Sequence, residues 1–202
     1  MQGARGRAPA LLQRGLAGVV RLGWKLLQST AEAIAGEPED SEVLGLLKAQ
    51  HRQVEQLFAQ LERPGGGSRR RALVDELTEA LVVHAAIEER HFYPAVWTAV
   101  TNDLVAESLE EHKAMKRALL DLVRAAPDDP TWKAKLSTLK EQVLHHAKEE
   151  EEKKLFPLVS GMLSADQRAA IAQEMVATMV ELQASRRTSS RTLLVADVAA
   201  AR

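Results

Sequence analysis

Apolar residues recur along most of the 202-residue chain at alternating steps of three and four, which is the period of an amphipathic α-helix. Strand-like alternation of apolar and polar residues is absent. Proline, glycine and helix-capping residues separate the periodic stretches, as expected at helix ends. The pattern predicts an all-α protein, with helices over about residues 9–35, 41–62, 69–92, 101–125, 131–156 and 164–187.

An internal repeat relates two consecutive helix pairs. The pair that contains His51 and His84 resembles the pair that contains His112 and His146. Two similar helical hairpins predict an up-down-up-down four-helix bundle with a pseudo-twofold axis. We expect this bundle over residues 39–160, a basic amphipathic helix before it over 1–38, a C-terminal helix over 161–187 and a flexible tail over 188–202.

The repeat is out of register by one residue near its end. Glu88 lies six residues before Pro94, whereas Glu150, its match in the second hairpin, lies seven residues before Pro157. One extra residue within a helix is typical of a π-bulge, a feature frequent at functional sites. In the second hairpin, His145 therefore stays open as the functional histidine in place of His146, and Glu149 or Glu151 as the functional glutamate in place of Glu150. A bulge favours Glu151.

The chain contains no cysteine, so any metal ion would be held by histidine, aspartate and glutamate side chains. Four histidines lie in the middle of apolar helix stripes, where leucine would otherwise pack, and the same stripes contain two glutamates. Buried carboxylates are costly unless they are paired, and a pair of cations neutralises two of them. The repeat selects six candidate metal ligands: His51, His84, Glu88, His112, His146 and Glu150.

The composition of this set indicates the kind of metal centre. A histidine and a glutamate four residues apart lie on one face of a helix, so both can reach one centre. Six ligands are too many for a single tetrahedral zinc ion. They suit two octahedral ions, each bound by two imidazoles and bridged by both carboxylates. Mixed nitrogen and oxygen ligation with open positions indicates two iron ions, with manganese as the second choice.

The same residues resemble the hemerythrin-like (HHE cation-binding) domain family over about residues 41–160. The resemblance rests on His51, on His84-x-x-x-Glu88 with Phe92-Tyr93-Pro94, on Glu110-Glu111-His112, and on His145-His146 before a glutamate run and Leu155-Phe156-Pro157. It implies an up-down-up-down bundle with a non-haem di-iron centre held by the six candidate ligands. The family includes oxygen carriers, sensors of oxygen, nitric oxide or iron, iron stores and peroxide-degrading members.

Two positions depart from the pattern of the oxygen carriers. Those proteins have a second histidine four residues after the third-helix ligand, where this chain has Lys116. The difference removes one imidazole, which makes reversible oxygen carriage doubtful and favours peroxide or redox chemistry. His91, seven residues after His84 on the same helix face, could supply the missing nitrogen or could lie at the helix end without a metal.

Charge is distributed unevenly along the chain. The net charge is −1, but residues 1–36 carry +4 and residues 186–202 carry +3, which leaves an acidic middle. The near-neutral total and the 3% aromatic content argue against a nucleic-acid partner. The basic N-terminal helix could dock on a membrane surface, on a protein partner or in a homodimer, and the C-terminal tail on a partner. With no uninterrupted apolar span or secretory signal, the expected location is the cytoplasm.

These observations favour a non-haem di-iron protein that binds or reacts with a small ligand, namely O2, H2O2 or NO. Two alternatives belong to other functional classes. One is a catalase-like or peroxidase-like di-iron enzyme, and the other is a scaffold docked on a membrane or a partner.

Overall fold

The computed structural model describes residues 43–126, 129–184, 194–196 and 198–199. These residues form α1 (Val43–Leu61), α2 (Gly67–Ile87), α3 (Tyr93–Val96), α4 (Asn102–Arg124), α5 (Trp132–Leu144), α6 (Phe156–Met162) and α7 (Ala165–Ala184). A first π-helical segment, Glu88–Phe92, joins α2 to α3, and a second, His145–Leu155, joins α5 to α6. The helix predicted over residues 1–38 lies outside the described residues.

The two π-helical segments continue their helices, so the chain runs up and down as four long rods. Helix α1 packs on α2, α2 packs on α4, and α4 packs on α5. Contacts of His51 on α1 with Glu151 and Glu152 in the second π-helical segment complete a four-helix bundle. The expected all-α four-helix bundle is confirmed for the described residues. Helix α7 packs across α1, α2 and the first π-helical segment. Its start is fixed by a reciprocal capping box, in which Ser164 and Gln167 exchange backbone-to-side-chain hydrogen bonds.

The apolar core is divided into two clusters along the bundle. One cluster lies toward the α1–α2 and α4–α5 connections and contains Phe58, Leu77, Leu119 and Leu139. The other lies toward the opposite end and contains Leu47, Ile87, Phe92 and Phe156, with Met175 of α7. Between the clusters the rods carry buried histidines and glutamates. The fold therefore holds a layer of polar side chains between two layers of apolar ones.

The end of the chain differs from the flexible tail expected over residues 188–202. Residues 194–196 and 198–199 are helical, and Leu194 is fully buried. Leu194 and Val198 both belong to the cluster that also contains Leu61 and Trp132. These two side chains together cover apolar surface at that end of the bundle.

Within the described parts of the chain, no helix is both long enough and apolar enough to span a lipid bilayer.

Leu194→Ala is expected to lower the free energy of unfolding by about 2 kcal/mol or more, because it removes a fully buried side chain from the core. Val195→Ala, at a neighbouring side chain that is 43% exposed, should change it by about 0.5 kcal/mol or less. Urea denaturation of both variants measures the difference. Equal stability of the two variants would show that the end of the chain does not contribute to the core.

Candidate metal centre

Four buried imidazoles meet at one level of the bundle. His51 lies on α1, His84 on α2, His112 on α4 and His146 in the second π-helical segment, so each rod contributes one. The helical period explains this convergence, because each histidine occupies a core position of its amphipathic helix. The rings of His51 and His84 meet edge to face with centroids 4.9 Å apart. Those of His112 and His146 repeat the arrangement at 4.7 Å.

The Nε2 atoms of all four rings face the centre of the bundle, where they meet two carboxylates. Oε2 of Glu88 lies 3.3 Å from Nε2 of both His84 and His112. Oε2 of Glu151 lies 3.2 Å from Nε2 of His51 and 3.8 Å from Nε2 of His146. Each carboxylate therefore contacts one imidazole from each hairpin, which is the position of a bridging ligand.

The structure brings Glu151, not the expected Glu150, into this cluster. In a π-helix, residues five apart lie on the same face, so the second π-helical segment turns Glu151 toward the side of His146. Glu150 instead receives hydrogen bonds from Lys154 at 2.6 and 2.7 Å. With Glu151 as the match of Glu88, both glutamates lie six residues before a proline. The backbone N–H of Tyr93 bonds to the carbonyl of Glu88, and that of Phe156 bonds to the carbonyl of Glu151.

The other open candidates lie outside the cluster. His145 is more than half exposed, and Glu149 pairs with Lys153. His91 turns toward α7, where its Nε2 lies 2.8 Å from Oγ1 of Thr178. His91 therefore joins the first π-helical segment to α7 and does not supply the nitrogen that Lys116 replaces.

The Nδ1 atom of every imidazole is hydrogen-bonded to an acceptor outside the centre. The partners of His51, His84, His112 and His146 are Glu152, Gln50, Glu89 and Glu111, each at 2.8 Å. A donated Nδ1–H fixes the ring orientation and leaves the Nε2 lone pair directed inward, as in histidines that bind metal ions. These four partners were not predicted from the sequence, although each is adjacent to a histidine or glutamate of the cluster.

Tyr93 is a further residue of the centre that the sequence alone did not reveal. Its hydroxyl donates a hydrogen bond to Oε1 of Glu151 at 2.9 Å and lies 3.4 Å from Nε2 of His112. Burial, together with the charges of Glu151 and Glu88, raises the pKa of Tyr93 well above its ordinary value. The phenol therefore keeps its proton. The matching residue of the second hairpin is Phe156, whose ring lies parallel to that of His51 with centroids 6.1 Å apart.

Several imidazole nitrogens and carboxylate oxygens that face the centre have no hydrogen-bond donor near them. Within the described part of the chain, no hydrogen-bond donor reaches Nε2 of His51 or His84, either oxygen of Glu88, or Oε2 of Glu151. Nε2 of His112 and Nε2 of His146 lie only 3.1 Å apart, and both are lone-pair atoms when Nδ1 carries the proton. Buried acceptors that face one another are unfavourable unless a cation lies between them. The donor set of this centre therefore fits metal ions.

The pKa values of the two glutamates are shifted in opposite directions. Burial, and then the charge of Glu151, raises the pKa of Glu88 well above its ordinary value. Burial also opposes ionisation of Glu151, but the charge of His146 and the hydrogen bond and charge of His51 outweigh it, so the pKa of Glu151 is lowered. Without a cation, the centre therefore favours a single negative charge on its two carboxylates.

The pKa values of the imidazoles are also shifted in opposite directions. Burial lowers the pKa of His84 well below its ordinary value, and it lowers that of His112 despite the opposing effect of Glu89. For His51, burial acts in the same direction, but hydrogen bonds and charges from Glu151 and Glu152 outweigh it and raise the pKa. Of these three imidazoles, His51 most readily carries a proton, and it does so beside Glu151, in the place that a metal ion would take.

The family model for the hemerythrin HHE cation-binding domain matches residues 42–159, which is more than half of the chain. The chain belongs to this family. A crystal structure of a hemerythrin HHE cation binding domain-containing protein from Mycobacterium kansasii has a similar fold, with a TM-score of 0.65 and 28% identity. The match covers 74% of this chain and 94% of that one. The cluster of this HHE domain is therefore of the kind that holds metal cations.

A protein from Nostoc sp. named "DNA nickase" is 24% identical over 170 residues, which cover 79% of this chain and 48% of the relative. The chain thus spans about half the length of the curated relative that it matches.

A cavity of about 30 Å³ borders the imidazoles of this HHE domain. About 10–15 Å³ of such space holds one water molecule, so the cavity has room for a small molecule of about two heavy atoms. Apart from the four histidines and Lys116, the residues that line the cavity are apolar: Val54, Leu81, Val82, Ala85, Met115, Leu119, Val143, Leu144 and Ala147. Such a lining accepts a small uncharged molecule at lower cost than an ion.

Glu88→Gln is expected to stabilise the metal-free protein more as the pH rises. Because the folded state raises the pKa of Glu88 above its ordinary value of 4.5, this carboxyl contributes stability below pH 4.5 that is lost as the pH increases. The difference in unfolding free energy between variant and wild type should grow by at least about 1.4 kcal/mol, the equivalent of one pKa unit. Urea denaturation in the presence of a chelator, from pH 4.5 to pH 8, measures it.

Glu89→Gln serves as the control for this measurement. Burial opposes ionisation of Glu89, but His112 and Lys116 outweigh it and lower the pKa, so its contribution to stability is present at higher pH. The Gln variant at this position should therefore be less stable than the wild type by a nearly constant amount from pH 4.5 to pH 8, because the pH dependence of this group falls below pH 4.5. A flat difference curve for Glu88→Gln would contradict the assigned direction of its pKa shift.

Proposed function

We propose that this HHE domain binds two metal ions and uses them to bind or react with O2, H2O2 or NO. One position is formed by His51, His84, Glu88 and Glu151, whose ligand atoms all lie within 4.8 Å of one another. The other is formed by Glu88, His112 and His146. The observation that carries the proposal is that four inward Nε2 atoms, each oriented through Nδ1, surround two buried carboxylates.

Iron is the preferred metal, with manganese as the alternative. Imidazole and carboxylate ligands together suit iron and manganese, whereas zinc favours four-coordinate sites. Each position provides fewer protein ligands than an octahedral ion requires, which leaves room for a small molecule. Iron bound here would supply the electrons and the open coordination positions that O2, H2O2 or NO requires.

The residues around the centre orient the metal ligands, balance the charge and shape the cavity. Glu152, Gln50, Glu89 and Glu111 keep the four Nε2 lone pairs inward through hydrogen bonds of 2.8 Å. Glu88 and Glu151 balance the positive charge. The cavity beside the imidazoles accommodates a molecule of the size of O2, NO or H2O2, and its apolar lining excludes bulk water.

Tyr93 supports peroxide degradation as the second candidate function. Cleavage of an O–O bond requires a proton for the departing oxygen, and a phenol is one of the side chains that can supply protons. The hydroxyl oxygen of Tyr93, which keeps its proton, lies 2.9 Å from Oε1 of Glu151, in the layer of the centre. A catalase-like or peroxidase-like reaction is therefore the enzymatic form of the proposal.

The remaining expectations from the sequence stay predictions. The basic N-terminal helix lies outside the described residues, so its docking on a membrane surface or a protein partner stays a prediction. Formation of a homodimer stays a prediction as well. The cytoplasmic location and the lack of a nucleic-acid partner are likewise untested. The name of the Nostoc relative adds no argument for nicking of DNA, because half of that protein has no counterpart in this chain.

Glu151→Gln should lower the iron content from two ions per chain to one or fewer, because it removes a carboxylate oxygen that faces His51 and His146. The neighbouring variant Glu150→Gln is the matched control and should retain both ions, since the Glu150 carboxylate is bound by Lys154. Anaerobic loading with Fe(II), removal of excess metal and elemental analysis give the stoichiometry. Two ions in both variants would exclude Glu151 as a ligand, and loss only in Glu150→Gln would restore the original expectation.

Exposure of the iron-loaded protein to O2, H2O2 and NO tests the functional part. We expect an optical spectrum that changes with at least one of them, because each would bind iron in the cavity beside the imidazoles. Measuring O2 release from H2O2 with an oxygen electrode separates an enzyme from a binding protein, and Tyr93→Phe should lower that release at least tenfold if Tyr93 supplies the proton. A loaded protein whose spectrum none of the three alters would contradict the proposal.

A further inference from the structure

The pseudo-twofold arrangement extends beyond the metal ligands to their hydrogen-bond partners. His51 corresponds to His112, and their Nδ1 partners, Glu152 and Glu89, directly follow the corresponding glutamates Glu151 and Glu88 in the sequence. His84 corresponds to His146, and their partners, Gln50 and Glu111, directly precede His51 and His112. The two metal positions can therefore be compared partner by partner.

The first pair of partners matches in charge. Both oxygens of Glu89 accept hydrogen bonds from the ammonium of Lys116, each at 3.0 Å. Both oxygens of Glu152 accept hydrogen bonds from the ammonium of Lys148, at 2.9 and 3.2 Å. In each half, then, the carboxylate that orients the first imidazole pairs with a lysine, and Lys148 also contacts Glu55 at 2.7 Å.

The second pair of partners does not match. His146 donates its Nδ1–H to a carboxylate, Glu111, whereas His84 donates to a neutral amide, Gln50. The amide of Gln50 is held in this orientation, because its NH2 group donates to the sulfur of Met179 on α7 at 3.4 Å and its oxygen faces His84. Nε2 of the exposed His145 lies 3.6 Å from Oε1 of Glu111, and the ammonium of Lys154 is bound by both oxygens of Glu150.

We propose that, among the differences between the two metal positions, this amide-for-carboxylate difference biases the position of His112 and His146 toward the more highly charged ion. The inference rests on the proposed dinuclear iron centre. A carboxylate that accepts the outer N–H of a metal-binding histidine makes the ring a stronger donor, and the added negative charge stabilises a trivalent ion. A neutral amide orients the ring equally well but adds no charge.

The consequence is that one of the two iron ions is reduced before the other. When an external one-electron reductant converts a diferric pair into one Fe(III) and one Fe(II), the electron goes to the ion at His51 and His84. Fe(III) stays at His112 and His146. No bond is formed or broken in this step, and the mixed-valent pair is stabilised over disproportionation into diferric and diferrous centres. Gln50 is thus a positioning residue that acts through His84.

Three variants with unchanged side-chain size test the inference: Gln50→Glu, Glu111→Gln and the exchange Q50E/E111Q. Each protein is loaded with iron, and elemental analysis first establishes two ions per chain. A reductive titration with dithionite, followed by electron paramagnetic resonance of the mixed-valent signal, then gives the comproportionation constant.

Either single change makes the outer partners of His84 and His146 alike in charge, so both should lower the constant at least tenfold, equivalent to about 59 mV for a one-electron couple. The exchange restores one carboxylate and one amide and should return the constant to within threefold of wild type. A purely structural role for these residues would instead make the exchange as defective as the single variants or worse.

Diffraction from a half-reduced crystal at the iron absorption edge locates the ferric ion. It should lie at His112 and His146 in the wild type and at His51 and His84 in the exchanged protein.

Equal comproportionation constants in all four iron-loaded proteins, or a ferric ion that does not move on exchange, would overturn the inference while leaving the dinuclear centre intact. If Gln50→Glu does not load, Glu111→Gln and the wild type decide the outcome by the same comparison. A wild-type chain that binds no second iron would refute the proposed function itself.

Discussion

The structure depends on one electrostatic constraint, which is that acceptor atoms from four helices face one another inside an apolar bundle. Four imidazole nitrogens and two carboxylates lie between two hydrophobic clusters, and several of these atoms have no donor among the described residues. Such a layer weakens the fold unless positive charge enters it. The apolar clusters on either side supply the burial that keeps the chain folded despite this layer. A pair of cations would bind to these acceptor atoms and remove the destabilisation.

Local backbone geometry and outer hydrogen bonds together set the direction of each ligand atom. The two π-helical segments each end at the residue before the short helix that contains Pro94 or Pro157, and each contains one glutamate of the cluster. The outer hydrogen bonds, all of 2.8 Å, prevent rotation of the imidazoles. Helix α7 adds a further support through Met179 and Thr178, which contact Gln50 and His91. A C-terminal helix outside the repeat is thus connected to the polar layer of the bundle.

The repeat is symmetric in its ligands and asymmetric in its surroundings. Gln50 corresponds to Glu111 in the repeat, and Tyr93 corresponds to Phe156, so one metal position has an additional carboxylate and an additional phenol near it. Both differences fall on the side of His112 and His146. Duplicated hairpins provide the geometry for two ions, and substitutions outside the ligand set can then give the two positions different chemistry.

The sequence by itself determined the helical fold, the two hairpins and the level at which the histidines meet, because the spacing of apolar residues fixes which face of each helix is buried. His51, His84, Glu88, His112 and His146 could be selected on that ground. Only the tertiary structure decided between Glu150 and Glu151, since a change from α to π geometry rotates the following residues and leaves no hydrophobic signature. It alone also identified the imidazole partners, the phenol of Tyr93 and the burial of Leu194, because these contacts join residues that are distant in sequence and are set by packing rather than by periodicity.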